Sequence, residues 1–402
     1  MDILMVAQYF GNIEQLDQSN NRFVYLAELL AKQYSVEVLT TSFVHAKKKH
    51  GVGFPTVYRG FQITALPEPG YPKNVCLKRF YSHRILADRM ERYLRVRKRP
   101  DVIYCAVPSL DCAYVAARYA NRNKIPLILD IQDLWPEAFK MVFRVPVVKD
   151  ILFFPMSKKA DRIYACADHI IGVSQSYCDR AKRANSKVSA TSVFIGTNLD
   201  TFDRNAKENK VQRQEDKLVL GYCGTLGHSY DLKCVFDAMQ IVQSEGYGNI
   251  EFWVMGRGPL VDTFRSYAED RKVNVQFLGW MPYKQMCGVL SSCDICINPI
   301  KKGTAASIIN KHADYAASGL PVINTQESAE YRALVDTYHC GINCTCADSR
   351  SVADAIIYLA GHEAERKQMG LNARQMAEEL FDRRNTYSKI ADLVKEVSRI
   401  EK

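Results

Sequence analysis

Leu218-Val219-Leu220-Gly221-Tyr222-Cys223-Gly224-Thr225-Leu226-Gly227 is the stretch on which the reading of this chain turns. A six-residue apolar run ends on a turn rich in small residues, and Asp231–Ser244 beyond it carries apolar side chains at helical spacing. A continuous apolar strand, a glycine turn and an amphipathic helix form the repeating unit of a parallel sheet covered on both faces. Ile250–Met255, Val275–Leu278, Ile295–Asn298 and Pro321–Asn324 read as further strands, with helical patterns between them. The first half begins the same way: strand Ile3–Phe10, turn Gly11-Asn12, helix Arg22–Lys32. Strands follow at Val36–Thr41, Val102–Ala106, Leu127–Ile131 and His169–Val173.

This alternation predicts an α/β chain of two Rossmann-like, doubly wound domains. The polar stretch 196–214 marks the break. The expected domains are residues 1–198 and 199–384, with an amphipathic helix over 385–402 returning to the first. Ligands of such sheets lie at the carboxyl ends of the strands, so a central cleft is expected where the two rims face each other.

With 402 residues, 47% hydrophobic and 24% charged, the chain is too long for one core and too apolar for a disordered protein. No run of 18 uncharged apolar residues suggests a spanning helix. The opening Met-Asp-Ile-Leu-Met-Val carries an acid where a signal peptide wants a cation, so it reads as a strand. Thirteen scattered cysteines fit a reducing cytoplasm. The net charge of +10 is uneven: residues 1–195 hold 29 Lys and Arg against 17 Asp and Glu, and the remainder 25 against 27. The basic half therefore points to an anionic partner.

A series of local patterns resembles the retaining glycosyltransferases of family four, which have the GT-B fold. The fullest is Asn310-Lys311-His312-Ala313-Asp314-Tyr315-Ala316-Ala317-Ser318-Gly319-Leu320-Pro321-Val322-Ile323. Around it stand Val254–Pro259, Val275–Trp280, Cys293–Pro299 and Met369–Arg374, in the family's order and spacing. Asp130-Ile131-Gln132-Asp133-Leu134-Trp135-Pro136-Glu137 is similar to the branch that builds capsule and O-antigen repeat units. Three departures stand out. The family's paired acids map onto Ala306 and Asp314, its turn arginine onto Thr225, and its following lysine onto Asp231. The diphosphate must then find its cations elsewhere.

The resemblance implies transfer of a sugar from a nucleotide-sugar, with a UDP-N-acetylhexosamine as the expected donor. Cleaving the anomeric bond loads charge onto a diphosphate, so the site must supply positive potential. Ser307 and Asn310 are expected to open a helix whose free N–H groups suit phosphate. Lys311 adds a charge to that first turn, and Asp314 is placed to take the ribose hydroxyls. Gly224 and Thr225 form a turn through which amides can approach phosphate. Arg257 is a substitute clamp, and Leu278 with its neighbours lies along the base. Gly11 and Asn12 approach the donor from the first domain. Asp133, past a strand end, is the candidate for orienting or activating the attacking hydroxyl, with Glu137 as second. The resemblance implies front-face attack assisted by the leaving diphosphate. No acidic metal motif stands at a strand end, so no metal and no cofactor are expected. His339, Cys340, Cys344 and Cys346 lack the spacing of a zinc site.

Residues 73–99 carry ten Lys and Arg against Asp88 and Glu91. On a helical wheel, Lys78, Arg84, Arg89 and Arg92 oppose an apolar face, yet Leu77, Tyr81 and Ile85 fall among them. Phe153 and Phe154 sit in a second apolar and basic stretch. Apolar residues set in a basic face suit an anionic lipid surface. These residues are expected to dock the protein peripherally on the inner face of the cell membrane, beside a polyprenyl-diphosphate-linked or oligosaccharide acceptor. An epimerase on the same fold is the alternative, but it leaves that surface without purpose. No nucleic-acid module is present, and nucleic acid is not an expected partner.

Overall fold

The computed structural model describes residues 1–11, 21–51, 55–74, 76–140, 146–214, 216–304 and 307–400. Its contacts divide the chain into two compact units, Met1–Phe194 with Thr386–Lys402, and Ile195–Asn385.

The first unit is built on strands β1 (Asp2–Val6), β2 (Ser35–Thr41), β5 (Val57–Tyr58), β6 (Phe61–Leu66), β7 (Val102–Val107), β8 (Leu127–Ile131), β9 (His169–Gly172) and β10 (Ser189–Ser192). They lie in the order β10-β9-β8-β7-β1-β2-β6-β5, parallel except for the β5–β6 edge. A small hairpin, β3 (Phe43–Val44) and β4 (Lys49–His50), stands apart. The two-residue period of β1 sends Leu4 and Val6 into one core and Ile3 and Met5 into another. The first core is closed by helices Leu77–Val96, Leu110–Arg122 and Pro146–Ala165, through Leu86, Met90, Ala113 and Ile163 among others. The second is closed by helix Arg22–Ala31 and by the chain's last helix, Arg383–Val397, which contributes Tyr387, Ile390, Val394 and Val397.

The second unit holds β11 (Leu218–Cys223), β12 (Ile250–Met255), β13 (Val275–Gly279), β14 (Ile295–Asn298), β15 (Val322–Asn324) and β16 (Gly341–Asn343), all parallel in the order β13-β12-β11-β14-β15-β16. The order reverses between β11 and β14, which opens a crevice outside their carboxyl ends. Some elements fall outside the sequence pattern. The polar stretch that marks the break contains a helix, Leu199–Glu208, because Asn198 caps it through Thr201 N at 2.8 Å and Leu199 and Phe202 bury one side. Strands β3 to β6 were not legible, being two-residue pieces or, in β6, weakly patterned.

A buried ion pair ties the first unit together. Asp130 on β8 is fully buried and accepts from Arg22 Nε at 2.8 Å, from the Tyr104 hydroxyl at 2.5 Å and from Gln132 at 2.5 Å. Arg22 also donates to the carbonyls of Val193 and Phe194 at 3.0 Å and to the Tyr387 hydroxyl at 3.3 Å. The pair thus joins the first helix, the sheet and the last helix. Asp130→Asn removes the counter-charge of an arginine with no access to water. It should cost about 3–5 kcal/mol in urea denaturation, and adding Arg22→Met should recover part of the loss. A single variant within 1 kcal/mol of the parent would show the pair to be dispensable.

Candidate functional site

In the second unit the site grows from the ends of β11, β12 and β14. Gly224 follows β11 with φ +150°, and its N–H donates to Met255 O at 2.9 Å. Leu226 N–H donates to Arg257 O at 2.9 Å, and Gly256 N–H to Gly279 O at 2.8 Å. The turn after β11 and the turn after β12 are therefore packed backbone against backbone. A Cβ on Gly256 would stand 1.8 Å from Gly224 O, so only glycine fits there.

Lys311 comes to this turn from the other side. It is in the first turn of helix Asn310–Ala317 and is 7% exposed. Its Nζ sits 4.0 Å from the centre of the Tyr230 ring and 4.1 Å from that of Tyr222, and 3.1 Å from the point where a Cβ on Gly224 would stand. No described residue offers it a hydrogen-bond acceptor. Burial pulls its pKa down to about 7. The solvated lysine that a polar helix start suggests is instead an enclosed cation aimed at the glycine turn. Tyr222 and Tyr230, which form its walls, were missed by the sequence reading, although both flank the quoted turn.

The start of that helix is held by a buried amide network. Asn298, Asn324 and Asn343 end three adjacent strands. Asn298 Nδ2 donates to Asn324 Oδ1 at 2.9 Å and to Gln326 Oε1 at 3.1 Å, and Asn324 Nδ2 to Asn343 Oδ1 at 2.8 Å. Gln326 Nε2 donates to Ser307 O at 2.6 Å, and Ile309 N–H donates to His312 Nδ1 at 3.2 Å. Ser307 does not open the helix as expected. It lies three residues before Asn310, and its hydroxyl donates to Glu330 at 3.0 Å. Asn310 does open it and is exposed.

Asp314, one turn beyond Lys311, points elsewhere. Its Oδ1 accepts from the Tyr283 hydroxyl at 2.8 Å, which also bonds Thr197 Oγ1 at 2.7 Å. Desolvation raises its pKa to about 6, partly offset by these hydroxyls and by Arg383. Thr225 is exposed, and its carbonyl accepts from the Tyr222 hydroxyl at 2.8 Å. Asp231, where the family places a lysine, caps helix Leu232–Ser244. Arg257 is exposed and lies over the Trp280 ring at 5.2 Å. The side chain of Leu278 opens into a hollow of about 610 Å³ shared with Trp253, Gln276 and Met281, which leaves its backbone for any base contact.

In the first unit, Gly11 is exposed at φ +106° after the buried Phe10, and Asn12 lies outside the described residues. Asp133, past the end of β8, accepts from Trp135 Nε1 at 3.1 Å, and burial raises its pKa. Glu137 is tied to Arg180 in an ion pair. On helix Leu77–Val96, Lys78, Arg84 and Arg92 are exposed, whereas Arg89 donates to Pro67 O at 2.5 Å. Phe154 is exposed, but the docking role expected of Phe153 is wrong: it is 8% exposed, stacks on Phe139 at 6.2 Å and belongs to the core. Arg79, one of the ten Lys and Arg of residues 73–99, is buried. It falls in register with His83, Leu86 and Met90, and this spacing was the available signal. Among the described residues no group of three His, Cys, Asp or Glu could hold a metal ion, and no helix is long and apolar enough to cross a membrane.

Two family models match the chain: "Glycosyl transferase 4-like domain" over residues 19–193 and "Glycosyl transferases group 1" over residues 217–362. The putative colanic acid biosynthesis glycosyl transferase WcaI of Escherichia coli (strain K12) is 23% identical over 302 residues, covering 72% of each chain. Anabaena Alr3699/HepE, solved in complex with UDP, superposes with a TM-score of 0.68 at 15% identity over 98% of this chain and all of that one. It has also been solved with UDP-glucose. Sucrose-phosphate synthase from Thermosynechococcus elongatus superposes with a TM-score of 0.73 at 14% identity over 99% of each chain.

The unpartnered amine makes an unusual demand on stability. Between pH about 7 and the ordinary 10.5, the unfolded chain carries a proton on Lys311 that the folded chain releases. Stability therefore rises with pH across that window, and the full cost is present below it. Lys311→Met should stabilise the free protein by about 1–3 kcal/mol at pH 6. The gain should fade towards pH 10, as read from thermal midpoints. A lower midpoint for the variant at pH 6 would contradict the buried, unpaired state.

Proposed function

Taking the chain as the GT-B glycosyltransferase that these matches make it, we propose that it moves a sugar from a UDP-sugar to a hydroxyl of a lipid-linked or oligosaccharide acceptor in surface polysaccharide synthesis, with retention of configuration. The observation that carries this reading is Lys311, a desolvated cation without a counter-ion at a glycine turn on the switch point of the second sheet. Such a cation is costly unless the ligand brings the negative charge. A diphosphate does so, and Gly224, where a Cβ would stand 3.1 Å from Lys311 Nζ, puts no side chain between the amine and the turn. UDP and UDP-glucose in the solved structure of Alr3699/HepE favour uridine as the base, and the likeness to WcaI favours a polysaccharide acceptor. An N-acetylated hexosamine is the sugar we assign.

In the reaction the acceptor oxygen bonds to the anomeric carbon as the bond from that carbon to the diphosphate breaks. The acceptor proton passes to the departing diphosphate on the same face. Lys311 stabilises the charge that develops there, with Arg257 beside the turn as a second cation. Asp133 orients the attacking hydroxyl. Asp314 holds Lys311's helix through Tyr283 and Thr197 and offers its second carboxylate oxygen to the ribose. No metal enters the scheme.

We place the acceptor at an anionic membrane surface. Leu77 and Tyr81 are 87% and 61% exposed, and Ile151 and Phe154 are 72% and 57% exposed. The rings of Phe80, Phe139 and Phe153 stand in a row at 5.6 and 6.2 Å between these two groups, so one aromatic seam underlies both. Lys78, Arg84 and Lys158 lie among them, and Lys158 caps the Phe154 ring at 5.6 Å.

A thermal-shift screen with UDP, GDP, ADP and their common sugars should single out UDP compounds. Asp314→Ala and Lys311→Met should each lower the protection by UDP about tenfold or more in concentration. Protection that is equal across bases, or unchanged in both variants, would remove the donor assignment, and conversion of donor to an epimer without acceptor would replace the reaction. In sedimentation with phosphatidylglycerol vesicles, Leu77→Ser with Ile151→Ser should weaken binding about tenfold or more. Equal binding to neutral and anionic vesicles, or none, would defeat the docking surface.

A further inference from the structure

The first unit holds a second cationic site outside the residues assigned above. Past the carboxyl ends of β1, β2, β6 and β8, Tyr9, His45, Lys48, Tyr71, Arg79, His83 and Trp135 gather into one cluster. Arg79 is 8% exposed and His83 is fully buried. Arg79 Nη2 donates to the Tyr9 hydroxyl at 2.8 Å and Nη1 to Asn74 O at 2.7 Å, and its guanidinium lies 4.6 Å from the Trp135 ring centre and 5.5 Å from that of Tyr71. Lys48 reaches the same two partners. Its Nζ donates to Asn74 Oδ1 at 2.5 Å and stands 5.1 Å from the Tyr71 ring centre. One asparagine and one tyrosine thus hold two cations together.

Neither cation has a carboxylate within ion-pair distance among the described residues. The nearby Glu68 is engaged by Gln8 Nε2 at 3.3 Å and the Ser82 hydroxyl at 2.6 Å, and Asp133 by Trp135. Arg79 Nε and His83 Nδ1 have no hydrogen-bond partner among the described residues. Arg79 and Lys48 repel each other and keep the two imidazoles neutral. Burial, then Lys48 and Arg79, hold His45 down to about 4, while burial and then Arg79 hold His83 down to about 3. Arg79 also depresses Lys48 after its own desolvation. Helix Leu77–Val96 brings Arg79 and His83 on its buried face, and the hairpin of β3 and β4 brings His45 and Lys48 on its turn. Tyr9, His45 and Lys48 keep part of their surface open, and Asn74 is exposed, so the cluster has an open rim and a buried floor.

A buried guanidinium beside a half-buried ammonium, with no carboxylate at ion-pair distance from either, is stabilised when an anion arrives. A guanidinium, an ammonium and imidazole N–H groups together match several phosphate oxygens better than one carboxylate. We infer that Arg79 and Lys48 form a phosphate-binding subsite for the acceptor, taking the phosphate or diphosphate that joins its sugar to a carrier. This rests on the transferase reading above and goes beyond it by naming the group recognised and the residues that recognise it. The exposed rim admits a chain leaving towards the apolar surface or a free phosphate ester, and the test separates the two.

Inorganic pyrophosphate, farnesyl diphosphate and farnesol are titrated calorimetrically into the full chain carrying Lys311→Met with Arg257→Gln, which removes both donor-site cations. Pyrophosphate and farnesyl diphosphate should bind at one remaining site and farnesol should not. Tighter binding of farnesyl diphosphate than of pyrophosphate marks a lipid-linked acceptor, and equal binding a phosphate ester without one. Lys48→Met, on the open rim and compatible with folding, should weaken both about tenfold. Arg79→Gln should weaken them further. Pyrophosphate should also raise the imidazole pKa of His45, followed by NMR, which a merely structural Arg79 would not produce. Absence of pyrophosphate binding in that background, or binding unchanged by Lys48→Met, overturns the subsite. Failure of UDP to bind the parent protein, with this binding intact, would instead remove the donor reading and leave the anion site standing.

Discussion

A lysine ammonium taken out of water and given no acceptor is the constraint around which the second unit is arranged. Lys311 could escape to solvent from a surface helix, and its flexible stem would ordinarily let it do so. Three things prevent this. The amide network of Asn298, Asn324 and Gln326 fixes the segment leading into the helix, the hydroxyls of Tyr283 and Thr197 hold Asp314 one turn on, and the rings of Tyr222 and Tyr230 close around the amine. The aromatic faces repay part of the lost hydration, but only an anion repays the rest. Under the donor assignment proposed above, a charge that is already desolvated needs no reorganisation during reaction, which is the condition under which electrostatic catalysis is strongest.

The molecule handles its buried cations in different ways. Arg22 meets a full carboxylate, two carbonyls and a hydroxyl, so its charge is consumed in joining the first helix, the sheet and the last helix. Lys311 meets only ring faces. Arg79 lies between the two cases, with a carbonyl, a hydroxyl and four aromatic rings but no carboxylate in reach. A cation paired with a buried carboxylate lends specificity to the fold. An unpaired one is a standing cost, tolerated where a ligand supplies what the protein withholds.

Much of the architecture is legible because parallel strands buried on both faces are written as unbroken apolar runs. Leu127–Ile131, Leu218–Cys223, Ile250–Met255 and Ile295–Asn298 end where such runs end. The two-residue strands of the hairpin and edge leave no such trace, since they are set by pairing with neighbours and not by local pattern. The helix Leu199–Glu208 hides in polar composition because only Leu199 and Phe202 are buried. The site was half legible. Spacing placed Lys311 and the glycine turn, but which way a side chain faces depends on neighbours far along the chain. So Ser307 turns to Glu330, Phe153 turns into the core, and Arg79 is enclosed by residues from four separate stretches. The tyrosines around Lys311 carry no motif, because their role is to exclude water and any large ring would be written the same way.

The departures from the family's pattern become coherent once the turn is seen as a rigid object. Thr225 and Asp231 stand where an arginine and a lysine are usual, so the β11 turn itself carries no cation. Gly256 lies so close to Gly224 that a Cβ would overlap its carbonyl oxygen, and Gly258 stands in the same relation to Leu226. These contacts, with the N–H groups of Gly224, Leu226 and Gly256 spent on neighbouring carbonyls, lock the two turns to each other with no long side chain required to steer them. The charge can then be delivered from another element, provided that element is held equally firmly. Lys311 meets that condition because its helix begins on strand ends braced across three neighbours. Relying on the cation of a braced helix alone, with none on the turn, exchanges adaptability for preorganisation. One turn further, Asp314 is drawn back to the hydroxyls that hold the helix still.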